Sequence, residues 1–232
     1  MNEKPKIIDR HLAGIRRSFD ISSDYHIKKM NEYEEVPHDV LSDDELELLY
    51  NIRIDSGLRE FRNFINPKRG TKLLDIGCYL NLIFYKYHKW QSLYFGIDIS
   101  ENVIDILNKY VKKHKIVIGD LQVASSDKIP YSDNYFDYVC CINVFEYFTK
   151  SYSKKSLAEI SRVIKPGGKF VVDIPNPDHK CFEIMLKVEK YFKRENKFIF
   201  GRKVFEDLLH NDFEIAALDT ENLMIKYFLI KK

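Results

Sequence analysis

The chain lacks any long apolar run. Nothing in it approaches the ~18 consecutive apolar residues of a membrane span. The opening MNEKPKIIDR has no apolar core of the kind that marks a secretory signal. A cytoplasmic protein with no membrane partner is therefore expected. Cysteine is scarce as well. The four present, Cys78, Cys140, Cys141 and Cys181, show no Cys-x-x-Cys spacing and no nearby histidine pair, so no metal site is expected. Two of them lie inside the apolar run YVCCINVF, where packed, reduced thiols are the simplest expectation. Charge of one sign is also lacking: 37 Lys and Arg face 35 Asp and Glu, and the net charge of +2 neither favours nor excludes nucleic acid. At 232 residues with 45% hydrophobic content, the chain can form one core with an appendage. None of this speaks to oligomeric state.

What is present is a series of short strings that join an apolar run to a polar turn: LLDIGC at 73–78, GIDIS at 96–100, GD at 119–120, FDYV at 136–139 and RVIKPGGKF at 162–170. An acid directly after an apolar run marks the carboxyl end of a buried parallel strand, the edge at which open α/β sheets bind ligands. Asp75, Asp98 and Asp120 recur at intervals of 23 and 22 residues, enough for a strand, a helix and their loops. Strands are predicted at KLLDI, LYFGI, KIVI, FDYVCCI and KFVVDI, with helices near 80–89, 101–113 and 153–163. This alternation implies right-handed crossovers and a parallel sheet covered on both faces. FEIAALDT and LMIKYFLI are separated only by Glu221-Asn222, too short for a crossover, and must pair as an antiparallel hairpin. The expected fold is a seven-stranded, mostly parallel, doubly wound Rossmann-like α/β sheet closed by that hairpin.

Before the sheet, Ile7, Ile8, Leu12, Ile15 and Phe19 can form one helical stripe. Ser42 to Glu45 is a capping box, followed by Leu46, Leu48, Leu49, Ile52, Ile54, Leu58, Phe61 and Phe64 at mostly helical spacing, interrupted at Gly57 and ended by Asn66-Pro67. Residues 1–66 are therefore expected to form a helical cap and 67–232 the sheet domain. Near the other end, Val204, Phe205, Leu208 and Leu209 predict a short helix with Asn211 as a left-handed cap.

Taken together, the strings resemble the class I S-adenosylmethionine-dependent methyltransferases, from about residue 70 onward; RVIKPGG after FDYV is the most specific of them. The resemblance implies S-adenosylmethionine as cofactor and a small-molecule acceptor. It places Asp75, Gly77, Cys78 and Tyr79 in the first cofactor loop, Asp98 and Ile99 at the ribose, Asp120 and Leu121 at the adenine, and Asn143 beside the methionine part. The family's loop is Asp-x-Gly-x-Gly-x-Gly. Here only Gly77 remains, with Tyr79 and Asn81 in the second and third places. Asn tolerates the left-handed region, whereas Tyr does so at a cost. Either the tyrosine packs near the cofactor or the site has lost affinity, which leaves a non-catalytic protein as an alternative.

Asp173, His179 and Tyr147 are the candidates for catalysis. Tyr147 follows Glu146 where many relatives have Glu-His, and Asp173 and His179 lie on or just past the fifth strand. Residues 187–203 hold seven basic and two acidic residues interleaved with Tyr191, Phe192, Phe198 and Phe200. That stretch is open to three interpretations: a solvated amphipathic helix, a site for an anionic substrate, or an RNA surface. The last would make the chain an RNA methyltransferase, although its overall charge gives nucleic acid no support.

Overall fold

A computed structural model describes residues 10–28, 40–51, 58–194 and 201–232. Its centre is one seven-stranded sheet. The strands are β1 (Lys72–Ile76), β2 (Leu93–Asp98), β3 (Asp120–Val123), β4 (Phe136–Cys141), β5 (Ile164–Pro175), β6 (Phe213–Asp219) and β7 (Met224–Lys231), in the spatial order β3-β2-β1-β4-β5-β7-β6. Neighbours from β3 to β5 pair in parallel, and β7 runs antiparallel to both β5 and β6. The expected hairpin is thus present. The chain leaves β1 toward β2 and β3, then returns across to β4, so the strand order reverses between β1 and β4. At such a switch point the loops diverge and leave a crevice at the carboxyl edge.

Alternate residues along each strand feed two cores, one on each face. Leu74, Ile76, Val139 and Cys141 belong to one; Leu73, Tyr138, Cys140 and Cys78 belong to the other. This explains why the parallel strands are apolar throughout rather than alternating. All four cysteines are buried and free.

The helices follow their local signals. The loop box is made as expected, Ser42 N donating to Glu45 Oε2 (3.1 Å) and Glu45 N to Ser42 Oγ (3.3 Å). It opens α2 (Asp43–Asn51); α1 (Arg10–Lys28) precedes it and α3 (Leu58–Ile65) follows. Asn66 ends α3 in the left-handed region at φ 50°, its N–H returning to Arg62 O. Ile7, Ile8, Ile52, Ile54 and Gly57 lie outside the described residues, as do Phe198 and Phe200. Between β1 and β2 the expected single helix is two short pieces, α4 (Asn81–Phe84) and a 3-10 turn (Tyr87–Lys89), separated by Lys86 at φ 56°. Ser100 Oγ caps α5 (Glu101–His114) by accepting from Val103 N, and Thr149 Oγ1 caps α6 (Lys150–Val163) by accepting from Tyr152 N. The remaining helices are α7 (Phe182–Tyr191) and α8 (Gly201–Leu209), the second burying Phe205 and Leu209.

Two expectations fail. KIVI is not a strand: Lys115 terminates α5 at φ 51°, Val117 is 81% exposed, and pairing with β2 starts only at Asp120, opposite Phe95. Gly119 lets the link pass over the Phe95 ring, which a Cβ at 119 would meet at 2.2 Å. Asn211 is not in the left-handed region; the chain turns there through Asp212 N to Leu209 O.

Candidate active site

The crevice at the strand switch is a cavity of about 790 Å³, within the ~300–1,000 Å³ typical of small-molecule sites. Its floor is the carboxyl edge of the sheet, and its roof is α1, which contributes Leu12, Ile15 and Phe19.

The floor begins at the turn after β1. Gly77 sits at φ 67°, and a Cβ there would lie 2.4 Å from Val144 Cγ2, so this position excludes any side chain on two grounds. The N–H groups of Gly77 and Cys78 both donate to Ile97 O, which holds the turn against β2. Tyr79 takes φ 35°, the conformation for which the glycine pattern exists, and its N–H donates to Asp98 Oδ2 at 3.0 Å. Its ring lies edge-on to Phe19, with centroids 5.4 Å apart. Asn81 starts α4 and reaches back to Asp75 Oδ2 at 3.2 Å.

Asp98 is 7% exposed and lines the cavity, as does Ile99. Its Oδ1 accepts from Ser100 N (2.9 Å) and its Oδ2 from Tyr79 N. Desolvation pushes its carboxyl up to about 6 against these amides, with a smaller upward push from Asp20. A carboxylate has about four acceptor positions, so two remain for a ligand. Asn143 also lines the cavity, at φ 54°, and donates its N–H to Asp173 Oδ1 at 2.8 Å.

Other expected residues lie elsewhere. Asp75 is buried behind the turn, accepting from Tyr94 OH at 2.9 Å, and desolvation pushes it up to about 7. It braces the turn rather than facing the cavity. Cys78 faces the opposite core, its thiol held protonated by burial. Asp120 is at the wrong end of β3: it accepts from Leu121 N and Gln122 Nε2, while Leu121 packs over Gly96. The carboxyl edge lies further on, where Ala124 and Ser126 line the cavity instead. The cause is the shift of β3 described above.

Among the catalytic candidates, Tyr147 lines the cavity and donates its hydroxyl to Glu189 Oε2 at 2.9 Å. Burial pushes the phenol well above its ordinary range, which suits a positioning donor and not a base. Asp173 is buried behind Asn143, where desolvation pushes it up to about 7. His179 lines a separate cavity of about 550 Å³ near Arg202 and Glu221, and its Nδ1 accepts from Cys181 N. It is not joined to the first. Three wall residues lie outside the five motif strings: Glu146, buried with no hydrogen-bond partner for Oε2 among the described residues, Glu189 and Arg194. Among the described residues no group of three or more His, Cys, Asp or Glu is placed to hold a metal, and no helix is long and apolar enough to cross a membrane.

Residues 74–172 match a family model described as a methyltransferase domain, a span that runs from β1 into β5 and includes Gly77, Tyr79, Asp98 and Asn143 of the cavity floor. An uncharacterized protein of Methanocaldococcus jannaschii is 31% identical over 137 residues, 59% of this chain and 53% of that protein. An uncharacterized protein of Rickettsia prowazekii is 33% identical over 106 residues, 44% of this chain and 42% of that protein. The chain thus spans about half the length, or less, of these two curated relatives. In fold it is similar to the magnesium protoporphyrin IX methyltransferase of Synechocystis PCC 6803 solved with bound SAM, at a TM-score of 0.66 and 12% identity, covering 99% of this chain and all of that one.

Proposed function

We propose that this chain is a class I S-adenosylmethionine-dependent methyltransferase, a reading that the methyltransferase-domain match over residues 74–172 supports, and that it methylates an oxygen or nitrogen atom of a small molecule taken into the cavity beneath α1. The observation that carries this reading is the cavity itself. It is large, roofed by apolar side chains, and floored by an acid whose carboxylate keeps two acceptor positions for a ligand.

The residues present fit S-adenosylmethionine. Asp98 is set to receive two ribose hydroxyls, Ile99, Ala124 and Ser126 form the wall where an adenine would lie, and Gly77, Tyr79 and Asn143 border the methionine end. When bound, the cofactor supplies a methyl group on a sulfonium, already electrophilic enough to react without a metal. The work left to the chain is orientation and exclusion of water, and orientation alone is worth roughly 7–11 kcal/mol of barrier. Leu12, Ile15 and Phe19 close the space from above, and Tyr147, held by Glu189, offers a fixed polar edge within an otherwise apolar wall. Tyr79 supports a working turn over a degenerate one, because it adopts positive φ and places its N–H on Asp98.

The test is calorimetric titration with S-adenosylmethionine and S-adenosylhomocysteine, beside Asp98→Ala. Micromolar binding abolished by the substitution is the expected result. Folded protein that binds neither compound would overturn the reading.

A further inference from the structure

The basic residues of the 187–203 stretch have no part in the reading above. Lys187, Lys190 and Lys193 are exposed, Lys187 pairs with Glu45, and Arg202 pairs with Glu206. Arg194 differs from these. Its side chain is only 12% exposed, and it forms part of the wall of the active-site cavity.

The guanidinium is held from one side. Nε donates to Ser18 Oγ at 3.1 Å and Nη2 to Ser22 Oγ at 2.6 Å, both on α1. Its central carbon lies 4.4 Å from the Phe19 ring centroid and 4.9 Å from that of Phe192. Nη1 is different: it forms an ion pair with Glu189 Oε1 at 3.8 Å, too long for a hydrogen bond, and the other Glu189 oxygen is taken by Tyr147. The planar cation is therefore fixed in direction while one nitrogen keeps its donors unengaged among the described residues. Around it the wall is largely apolar, with Phe148, Met185, Leu223 and Met224.

We propose that the acceptor is an apolar molecule carrying one acidic group, a carboxylate or a phosphate monoester, and that Arg194 binds this group through Nη1. The proposal rests on the methyl-transfer reading only in calling that molecule an acceptor. Nη1 carries two N–H donors on a permanent positive charge, and either acid presents anionic oxygens that accept from them. The ion pair with Glu189 at 3.8 Å offsets the charge of this buried, preorganised cation, and among the described residues the Nη1 donors are left for a ligand.

The experiment uses protein saturated with S-adenosylhomocysteine, so that the anions cannot occupy the cofactor half, titrated calorimetrically with octanoate, octyl phosphate and octanol. One of the two anions should bind at least about tenfold more tightly than octanol, the difference expected for a charged hydrogen bond, and which one does so identifies the acid. Arg194→Gln should abolish the preference while leaving octanol unchanged, and Arg194→Lys should keep part of it. Octanol binding as tightly as both anions, none of the three binding, or a preference that survives in Arg194→Gln would each overturn the proposal. The comparison of ligands on the unmodified protein stands even if a variant fails to fold, and a thermal melt reports that directly. If the protein does not take up S-adenosylhomocysteine, the cofactor reading fails alone; the three titrations on ligand-free protein still test Arg194.

Discussion

The two walls of the cavity are built in different ways. The sheet-edge wall is made largely of backbone: Gly77, Tyr79 and Asn143 sit at positive φ, and peptide N–H groups hold the carboxylates of Asp98 and Asp173. The opposite wall is made of side chains: Phe19 from α1, Tyr147 from the 3-10 turn after β4, Glu189 from α7 and Arg194 just past it, joined by ring contacts and hydrogen bonds. A backbone wall tolerates little variation and suits a ligand that does not change. A side-chain wall can be altered residue by residue without disturbing the sheet, which suits the partner that distinguishes one enzyme from the next.

Asp98→Ala should break the first wall most severely. Losing two charged acceptors is expected to weaken S-adenosylhomocysteine binding by on the order of a hundredfold in calorimetry, whereas Asp120→Ala, which alters nothing at the cavity, should change it by less than about twofold. Equal losses would mean the two acids had been assigned to the wrong places. Phe19→Ala tests the second wall: truncating a ring that touches Tyr79, Tyr147 and Arg194 should cost about 2–3 kcal/mol of stability by denaturant titration. It should also speed release of S-adenosylhomocysteine about tenfold in stopped-flow measurements, since the roof then closes less firmly.

Acidity sharpens the contrast. Asp98 has its carboxyl raised to about 6, and ribose hydroxyls need its ionised form. Cofactor affinity should therefore be flat above about pH 6 and fall below it, up to about tenfold per unit, as a calorimetric series from pH 5 to 8 would show. Stability runs the other way. Asp75, Asp98 and Asp173 all have folded values above the ordinary 3.8, so the folded chain holds more protons than the unfolded one between about 4 and 7. Their contribution is present in full below about 4 and is lost as pH rises through 6 to 7, so the ligand-free protein should melt higher at pH 5.5 than at 7.5. The smallest effect expected is that of Tyr79→Gly. It relieves roughly 1 kcal/mol of backbone cost and forfeits a ring contact of similar size, so the melting midpoint should hardly move; a large fall would mean the Phe19 contact dominates.

Most of the sheet-edge wall was legible in the sequence because an acid at a strand end is a local signal. Asp98 follows LYFGI directly, and the hairpin at 213–231 follows from a connection too short for anything else. Asp120 shows where such signals mislead. KIVIGD has the composition of a strand and its edge, yet its apolar residues are a linker, and only the pairing of Asp120 with Phe95 and the passage of Gly119 over that ring establish where the strand starts. Asp75 and Asp173 carry the same local signature as Asp98 but stand one layer behind the surface, a difference of depth that periodicity does not contain. The opposite wall was hidden for another reason. Arg194 is one of seven basic residues in its stretch, and what sets it apart is contact with Ser18 and Ser22, more than 170 positions away.

That separation has a consequence in time. α1 is made before its anchors, which are spread along the chain: Ser100, the cap of α5, and Asn102 within it, then Phe192 and Arg194. At ~5–20 residues per second, the ribosome needs on the order of ten seconds or more to get from the first of these elements to the last. Throughout that interval Leu12, Ile15 and Phe19 have no finished surface to cover. The helix that closes the cavity is made before every surface it covers and is among the last elements to find its place, so this apolar stripe is where a chaperone would be needed most.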